Sequence, residues 1–493
     1  MVTNSQTGDA SKITYSKFAS NLNEPLGVTV MGGEIYLLQK DQLSLLPDKN
    51  NDGIADEVRK VASGWTVTQP TVSLEFAMGM VYRDSVFYGG LATNWGLHET
   101  QTDERGCVVQ MSVKSGGYTP YACGMRTPNG MTLGPDDEIF VTENQGNWVP
   151  SSKLLHIKKG HFYGVHKTIP GFFDKEPETP PAIWMDHGSI GVSPTQPVYM
   201  KSGTFKGQMI AGDIVWGTLQ RYFLEKVGGE YQGAIFKFSG GLEAAANRIV
   251  QGPDGALYVG GIGTQEWGGW DWSGRNFGLQ RMAPNGKTTF DLLAVRSMGS
   301  TSMELEFTTP VGNGADVAAN YQVKQWFYVP ELTYGAGKQA TENLTVKSVK
   351  VSTDKLKVTL EITGMKLKNV VNIKLNGVNS STGTAPWTTE TWYTQNAFGP
   401  GTAVTKTRPQ AKANSFGHLS FSTQLLGQGR IGFKVVQAEK FKLRIQDVSG
   451  HILETHQGMG PLAFVGEKVY SPGVYLISVQ SASGHFTQRI VNP

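Results

Sequence analysis

Several features that would assign a protein class directly are scarce in this chain. Its 493 residues include only two cysteines, charged residues make up only 17%, and the net charge is +3. Two cysteines exclude a disulfide-rich scaffold, and without a basic cluster nucleic acid is not expected as a partner. No apolar run is long enough to cross a bilayer as a helix, so no transmembrane segment is expected.

Other recognisable signals are also missing. The sequence has no Gly-rich phosphate loop, and Ser193 does not sit in a nucleophile elbow. No secretion signal opens the chain, and the polar stretch after Met1-Val2 is typical of a sequence whose leader has been removed.

Glycine and aromatic residues are abundant, at 61 residues and 10%. Between about 15 and 283 a turn, a short alternating strand and a glycine recur, most clearly at 134–141 and 252–259. Small antiparallel sheets repeated at roughly 45–50 residues must stack around an axis to bury their faces, which is typical of a β-propeller. The stretch 150–184, rich in Lys, His, Pro and Phe, breaks this period and is expected to cover one end of the propeller.

The texture changes after the repeats. Strict alternation at 303–307 and 355–362 indicates a half-exposed antiparallel sandwich. The sequence therefore predicts an all-β chain with four parts: a six-bladed-type β-propeller (1–284), an Ig-like β-sandwich (287–398), a linker (399–416) and a small C-terminal β-sandwich (417–493).

One short loop carries a metal-ligand pattern. Oxygen-bearing side chains recur at Asp48, Asn50, Asp52 and Asp56, with Gly53 after the third. A hard cation such as calcium takes six or more oxygens, and alternate residues of a tight turn can all point inward. The closing Glu of an EF-hand is absent, because Arg59 holds its position. The pattern predicts a structural calcium site, with a solvated Asn/Asp turn as the alternative.

The two cysteines flank an expected hairpin. Cys107 and Cys123 lie on either side of a turn at 115–117. Facing positions there would allow a cross-strand disulfide, and two buried thiols remain the alternative.

The end of the chain carries a resemblance. The segments 472–479 and 486–491 resemble the C-terminal sorting domains of bacterial proteins exported by the type IX route. That resemblance implies a secreted or cell-surface protein whose C-terminal domain meets secretion machinery.

The repeats carry a second resemblance, over about 20–283. The phrases at 124–131, 143–148 and 247–255 together resemble the glucose/sorbosone dehydrogenase-like propellers, more narrowly an environmental-bacterial branch in which an Ig-like domain follows the propeller. This resemblance implies a propeller that binds pyrroloquinoline quinone and oxidises a sugar.

The family's cofactor site maps onto part of this sequence. The resemblance implies cofactor contacts from Arg126 and Asn129 in one turn, from Gln145 in a loop, and from Arg248. Paired guanidinium groups suit the carboxylates of the quinone, and they suit uronic acids equally well. Three positions depart from the family pattern: Thr127 replaces an Asn, no His precedes 78–91, and no Lys stands at 219–221.

Substitutes for the missing base lie elsewhere. Asp186 could orient His187 as a general base, or Glu75 could take the proton, although a lone loop histidine is more often structural. Exposed tryptophans suit the apolar faces of sugar rings, with packing inside the loops as the alternative. The candidates that follow expected strands or lie in a Gly-rich loop are Trp95, Trp148, Trp216, Trp267 and Trp270.

Two functions of different classes follow from these observations. The first is a quinone-dependent sugar dehydrogenase-like oxidoreductase, supported by the arginines. The second is a carbohydrate-binding or glycan-processing propeller that has lost the quinone, supported by the departures and the tryptophans. Arg126, Gln145, His187, Arg248 and Trp267 are predicted to converge on one pocket near the propeller axis.

Overall fold

The computed structural model is built almost entirely of β-strands. It describes residues 1–67, 75–93, 102–167, 171–262, 277–400, 421–426, 430–435, 440–447, 451–459, 462–465, 468–471, 473–481 and 484–492. Short 3-10 helices, at Ser5–Thr7, Ala10–Lys12, Pro135–Asp137 and Ala318–Asn320, are the helical elements among these residues. No helix within the described ranges has the length and apolarity to cross a membrane.

A short hairpin precedes five successive antiparallel sheets, which we call blades I to V. The hairpin is β1 (Val2–Thr3) and β2 (Thr14–Tyr15). Blade I is β3 (Gly27–Met31), β4 (Glu34–Leu38), β5 (Gln42–Leu46) and β6 (Arg59–Ser63). Blade II is β7 (Ala77–Arg83), β8 (Val86–Leu91), β9 (Cys107–Met111) and β10 (Tyr118–Cys123). Blade III is β11 (Pro128–Leu133), β12 (Ile139–Glu143), β13 (Lys153–Ile157) and β14 (Ile183–Trp184). Blade IV is β15 (Pro194–Tyr199), β16 (Met209–Asp213), β17 (Leu219–Val227) and β18 (Glu230–Ser239). Blade V is β19 (Ala245–Gln251), β20 (Leu257–Ile262) and β21 (Phe277–Met282).

The first strands of neighbouring blades lie side by side around the axis. Glycines permit this approach: a Cβ on Gly130 of blade III would lie 2.0 Å from the Cα of Gln196 in blade IV. The hydroxyl of Thr142 donates to the carbonyl of Thr195 (2.9 Å), and Thr195 Oγ1 donates to the carbonyl of Ala246 (2.8 Å) in the next blade. The predicted all-β propeller class is confirmed.

The predicted count of six blades is not reached among the described residues, which supply five. Apolar side chains on blades I and V, on the faces turned away from blades II and IV, are exposed: Val28, Val30, Val250, Phe277 and Leu279. We call the boundary between blades I and V the seam. Arg248 of blade V crosses the seam by donating from Nε to the carbonyl of Leu26 (3.1 Å).

The predicted insertion at 150–184 is wrong in its bounds. Its ends supply two strands of blade III, β13 and β14. Only the segment between them leaves the blade, and it returns to blade II, where the amide of Cys123 donates to the carbonyl of His161 (3.1 Å).

Residues 287–398 continue the propeller's own sheet. Their strands are β22 (Leu292–Gly299), β23 (Ser302–Phe307), β24 (Tyr321–Phe327), β25 (Gln339–Val351), β26 (Lys357–Thr363), β27 (Asn369–Leu375) and β28 (Glu390–Gln395). β28 pairs with β18 of blade IV, and the long β25 pairs with both β24 and β26. Ala234 and Phe236 of β18 therefore share a core with Leu305 and Ile373 of the later strands.

The predicted boundary at 284–287 does not separate compact units, because residues 1–402 form one unit and 403–493 form a second. The second unit contains β29 (Phe421–Leu426), β30 (Arg430–Val435), β31 (Lys440–Asp447), β32 (Ile452–Met459), β33 (Leu462–Val465), β34 (Gly473–Ser481) and β35 (Gly484–Asn492). They form two sheets, β29-β30-β33 and β32-β31-β34-β35. The division at 402 falls inside the predicted linker.

Truncation tests this shared architecture. We expect a 1–402 protein to melt cooperatively, whereas a 1–284 protein is insoluble or melts without cooperativity. The shorter chain leaves the backbone edge of β18 unpaired and uncovers Ala234 and Phe236. Circular dichroism melting curves of the two proteins make the comparison, and equal cooperative transitions would contradict the expectation.

Candidate functional site

A cavity of about 300 Å³ lies on the propeller axis. Each of the five blades contributes to its wall, from the loop that enters its first strand or from that strand. The lining residues are Glu24, Pro25, Leu26, Phe76, Met78, Arg126, Thr127, Asn129, Asn144, Ser193, Ile214, Asn247 and Ile262. Apolar walls with a few polar groups are the usual composition of a small-molecule site. We call this cavity the axial pocket.

Arg126 is buried in the wall of the axial pocket. Its Nη1 donates to the carbonyl of Gln145 (3.1 Å) and to Thr127 Oγ1 (3.2 Å), and its guanidinium carbon lies 5.2 Å from the ring centroid of Tyr334. Burial lowers the pKa of Arg126, although the group remains a cation at neutral pH.

A buried acid holds the turn that carries Arg126. Glu143, at the end of β12, accepts from the backbone amides of Arg126 and Thr127. Its other oxygen lies 3.7 Å from Lys153 Nζ, and neither side chain is exposed. Burial raises the pKa of Glu143, while Lys153 and the two amides oppose that shift.

The same arrangement recurs in other blades. Asp213, at the end of β16, accepts from the amides of Val192 (2.6 Å) and Ser193 (3.0 Å), which precede the first strand of blade IV. In blade I, Gln39 Oε1 accepts from the amide of Asn23 (2.6 Å). A polar side chain at or just after the end of a second strand thus fixes the loop that enters the first strand, and these loops form the axial pocket.

Arg248 adjoins the axial pocket from blade V. Its Nη1 donates to Asn247 Oδ1 (2.7 Å) and to Asn129 Oδ1 (3.4 Å), and both amides line the pocket. Its described hydrogen-bond partners are carbonyl and amide oxygens, and burial lowers its pKa to about 10. Its Nη2 is buried with no hydrogen-bond partner among the described residues. Arg126 and Arg248 therefore meet at the same pocket.

The other residue taken from the family's cofactor set is Gln145, and its side chain turns away from the pocket. The side-chain amide nitrogen of Gln145, Nε2, donates to the carbonyl of Pro150 (3.2 Å). Only its backbone carbonyl reaches the site, through the bond from Arg126.

The predicted base residues are not gathered at the pocket. Asp186 is buried and bonds to Lys338 Nζ (2.8 Å) and Trp392 Nε1 (3.2 Å), so its described bonds do not orient His187. His187 is exposed and is not among the lining residues. Glu75 is buried behind Phe76, and its carbonyl accepts from Arg105 (2.8 Å). Glu24 is the only carboxylate among the described lining residues, and it pairs with Lys40 (3.1 Å).

The described tryptophans lie outside the pocket lining. Trp148, partly buried, packs its ring 4.8 Å from that of His166, and its amide donates to the carbonyl of Glu331 (2.8 Å). Trp216 lies in the β16–β17 turn, where its amide donates to Asp213 Oδ1 (2.8 Å). Trp95, Trp267 and Trp270 lie outside the described residues.

The predicted calcium loop closes on its own backbone. Asp48 accepts from the amides of Asp52 (3.1 Å) and Gly53 (3.0 Å), and Asp52 Oδ1 accepts from Ile54 (2.8 Å). Asp56 Oδ2 accepts from the amide of Lys49 (2.7 Å), and Asn50 Nδ2 donates to Asp52 Oδ2 (3.0 Å). Over the described residues no cluster of three or more His, Cys, Asp or Glu side chains could hold a metal ion. These contacts fit the alternative, an Asn/Asp turn, and the calcium site stays a prediction.

Sequence reasoning missed three residues that shape the site. Glu143 and Asp213 each end an apolar strand, and a carboxylate in that position is the signal that could have identified them. Tyr334 gave no such signal, because the two strands that flank its loop, β24 and β25, belong to the part of the chain that was expected to fold separately.

Comparisons with known proteins give distant matches. Residues 3–170 match a family model described as a domain of unknown function (DUF7133). A search of the curated proteins finds no match. A glucose dehydrogenase structure is 14% identical, with 55% of this chain and 87% of that chain covered, at a TM-score of 0.41.

Two further similar structures are of PQQ-type proteins. The PQQ-bound form of aldose sugar dehydrogenase from Streptomyces coelicolor is 14% identical over 54% of this chain and 96% of that chain, with a TM-score of 0.33. The holo pyranose dehydrogenase PQQ domain from Coprinopsis cinerea is 12% identical over 53% and 94%, with a TM-score of 0.32.

The buried pair behind Arg126 can be tested by charge removal. We expect Glu143→Gln to lower the free energy of unfolding by about 2–4 kcal/mol, because Lys153 then stays buried without its counter-charge. The double variant Glu143→Gln, Lys153→Met should recover part of that loss. Urea denaturation measures both variants, and a double variant less stable than the single one would contradict the pairing.

Chelation and a substitution in the 48–56 turn distinguish a calcium-bound loop from a loop that is closed by its own hydrogen bonds. We expect a chelator to leave the melting temperature unchanged, whereas Asp48→Ala costs about 1–2 kcal/mol by removing the acceptor of two backbone amides. Thermal melts with chelator and with excess calcium provide the comparison. If the chelator lowers the melting temperature and added calcium reverses that change, the calcium site is supported.

Proposed function

We propose that this protein is a sugar dehydrogenase-like propeller whose axial pocket binds pyrroloquinoline quinone and whose substrate is a carbohydrate. The observation that carries the proposal is the meeting of Arg126 and Arg248 at one apolar pocket. Glu24 and Lys40 compensate each other, whereas the described partners of Arg248 are neutral oxygens. The pocket is therefore suited to an anionic ring compound.

The residues present fit the carboxylates of such a quinone. The buried Nη2 of Arg248, which has no described hydrogen-bond partner, supplies a donor, and Asn129 and Asn247 supply amide groups beside it. Charge-assisted hydrogen bonds of this kind are among the strongest in proteins. When bound, the quinone would accept a hydride, which carries the two electrons of the oxidation, from a hydroxyl-bearing carbon of the sugar.

The proton released in that oxidation needs an acceptor. Glu24 is the carboxylate that the described lining offers, and it forms an ion pair with Lys40 (3.1 Å). No histidine stands among the described lining residues. This observation favours the second candidate, a non-redox carbohydrate-binding or glycan-processing propeller that keeps the same cationic pocket.

We also propose that the protein is secreted or held at the cell surface. The disulfide between Cys107 and Cys123, which are register partners of β9 and β10, suits an oxidising compartment. The sorting-type role for the C-terminal unit and the Ig-like assignment for residues 287–398 belong to the same proposal. They rest on sequence resemblance.

Quinone titration tests the primary function. We expect added pyrroloquinoline quinone to give a saturable absorbance change and a raised melting temperature with the wild-type protein. Arg248→Met should weaken binding by about ten- to hundredfold, the value of a charge-assisted hydrogen bond. Arg281→Met, which removes a paired surface arginine of the same blade, is the matched control and should bind normally.

The redox and non-redox candidates separate in the same experiment. Reduction of an artificial electron acceptor by the quinone-loaded protein with a sugar supports the dehydrogenase. Sugar binding without a quinone-dependent absorbance change supports the second candidate. If Arg248→Met and Arg281→Met bind the quinone equally well, the pocket assignment fails.

A further inference from the structure

A loop from the later strands contacts Arg126, a residue in the wall of the axial pocket. The loop between β24 and β25, residues 328–338, lies on the 145–148 turn of blade III. The amide of Trp148 donates to the carbonyl of Glu331 (2.8 Å), Asn147 Nδ2 to the carbonyl of Leu332 (2.8 Å), and the amide of Gly335 to the carbonyl of Gly146 (3.1 Å).

The end of the loop is fixed as well. Lys338 Nζ bonds to the buried carboxylate of Asp186 (2.8 Å). Gly335 has a φ of 64°, and a Cβ there would lie 2.7 Å from Gln145 Cδ, so a glycine is required for this close contact. The side chain of Asp186 therefore holds the end of this loop, and the side chain of Gln145 packs against Gly335. We call residues 328–338 the rim loop.

The rim loop presents apolar side chains to solvent although its backbone is firmly bonded. Leu332 is 57% exposed and Tyr334 is 47% exposed. The Tyr334 ring lies 5.2 Å from the guanidinium of Arg126, which lines the axial pocket and is itself buried. Tyr334 thus stands between a wall residue of the pocket and solvent, and cation–π attraction orients its ring.

We propose that the rim loop is a second carbohydrate subsite, in which Tyr334 stacks on a sugar ring of an acidic oligosaccharide whose terminal residue enters the axial pocket. An exposed aromatic face beside polar groups is the surface that the apolar face of a sugar ring requires. The cations Arg126 and Arg248 select uronate rings over neutral ones. A cavity of about 300 Å³ is at the small end for ligand sites, so further sugar residues must leave across the mouth.

This inference rests on the carbohydrate part of the proposed function and concerns the axial pocket without bound quinone. It makes the substrate an oligomer, because a single sugar ring in the pocket would not reach Tyr334. It also gives residues 287–398 a direct part in substrate binding.

Calorimetric titration of the full chain, without quinone, with galacturonate and with trigalacturonate tests the subsite. We expect the wild-type protein to bind the trimer more tightly than the monomer. Tyr334→Ala should weaken trimer binding by about two- to tenfold, the range for an aromatic contact, and should weaken monomer binding by a smaller factor. Tyr334→Phe keeps the ring and should keep the affinity.

The control is Tyr15→Ala, which removes an exposed tyrosine of the N-terminal hairpin and should change neither affinity. Equal wild-type affinity for monomer and trimer, no trimer binding, or an equal loss for both sugars in Tyr334→Ala would overturn the subsite. If the quinone binds while any of these results holds, the proposed dehydrogenase function stands and the subsite alone fails. If trimer selectivity is lost in Tyr334→Ala but the quinone never binds, the subsite stands and the redox function fails.

Discussion

The pairing of β18 with β28 is the constraint on which the site's architecture depends. Four residue pairs, from Gly233–Thr394 to Phe236–Thr391, join the outer strand of blade IV to the later strands. The amide of Trp184 also donates to Thr394 Oγ1 (2.8 Å), which connects blade III to the same strand. Because β24 and β25 belong to this continuous sheet, their connecting loop has a fixed position beside blade III. A flexible linker at 284 would not place Tyr334 near Arg126.

Buried charge organises the other side of the pocket. Ionised groups are costly to bury unless backbone donors or a counter-charge compensate them. Glu143 has both kinds of partner, and Asp213 accepts from four backbone amides: Val192, Ser193, Val215 and Trp216. These bonds involve only the backbone amides of the turns. The side chains of Arg126, Thr127 and Ser193 in those turns can therefore line the cavity. Rigid turns of this kind lower the entropy cost of binding, because the wall is ordered before a ligand arrives.

Local signals made the blades predictable, and non-local pairing made the domain boundary unpredictable. The strands at 139–143 and 257–262 follow from their turns and alternation. The edge of β18 carries no mark that it pairs with a strand more than 150 residues later. The calcium site stays a prediction, because the spacing of Asp48, Asp52 and Asp56 serves an Asx-type turn as well as a metal. The arginines were identifiable through resemblance, whereas the end-of-strand acids needed the structure.

Arg248 joins blades V and I and also adjoins the axial pocket. Its Nε bond to the carbonyl of Leu26 ties blade V to blade I where exposed apolar residues show that the described strands do not cover each other. Its Nη1 reaches toward blade III, and its Nη2 is buried with no hydrogen-bond partner among the described residues. A guanidinium can do both, because its planar fork presents five donors in fixed directions. A lysine offers one point charge and could keep the seam or the ligand contact, but not both. Under the proposed function, a ligand anion on Nη2 would also strengthen the contact between blades V and I. It would add a counter-charge to a partly buried cation whose described partners are neutral.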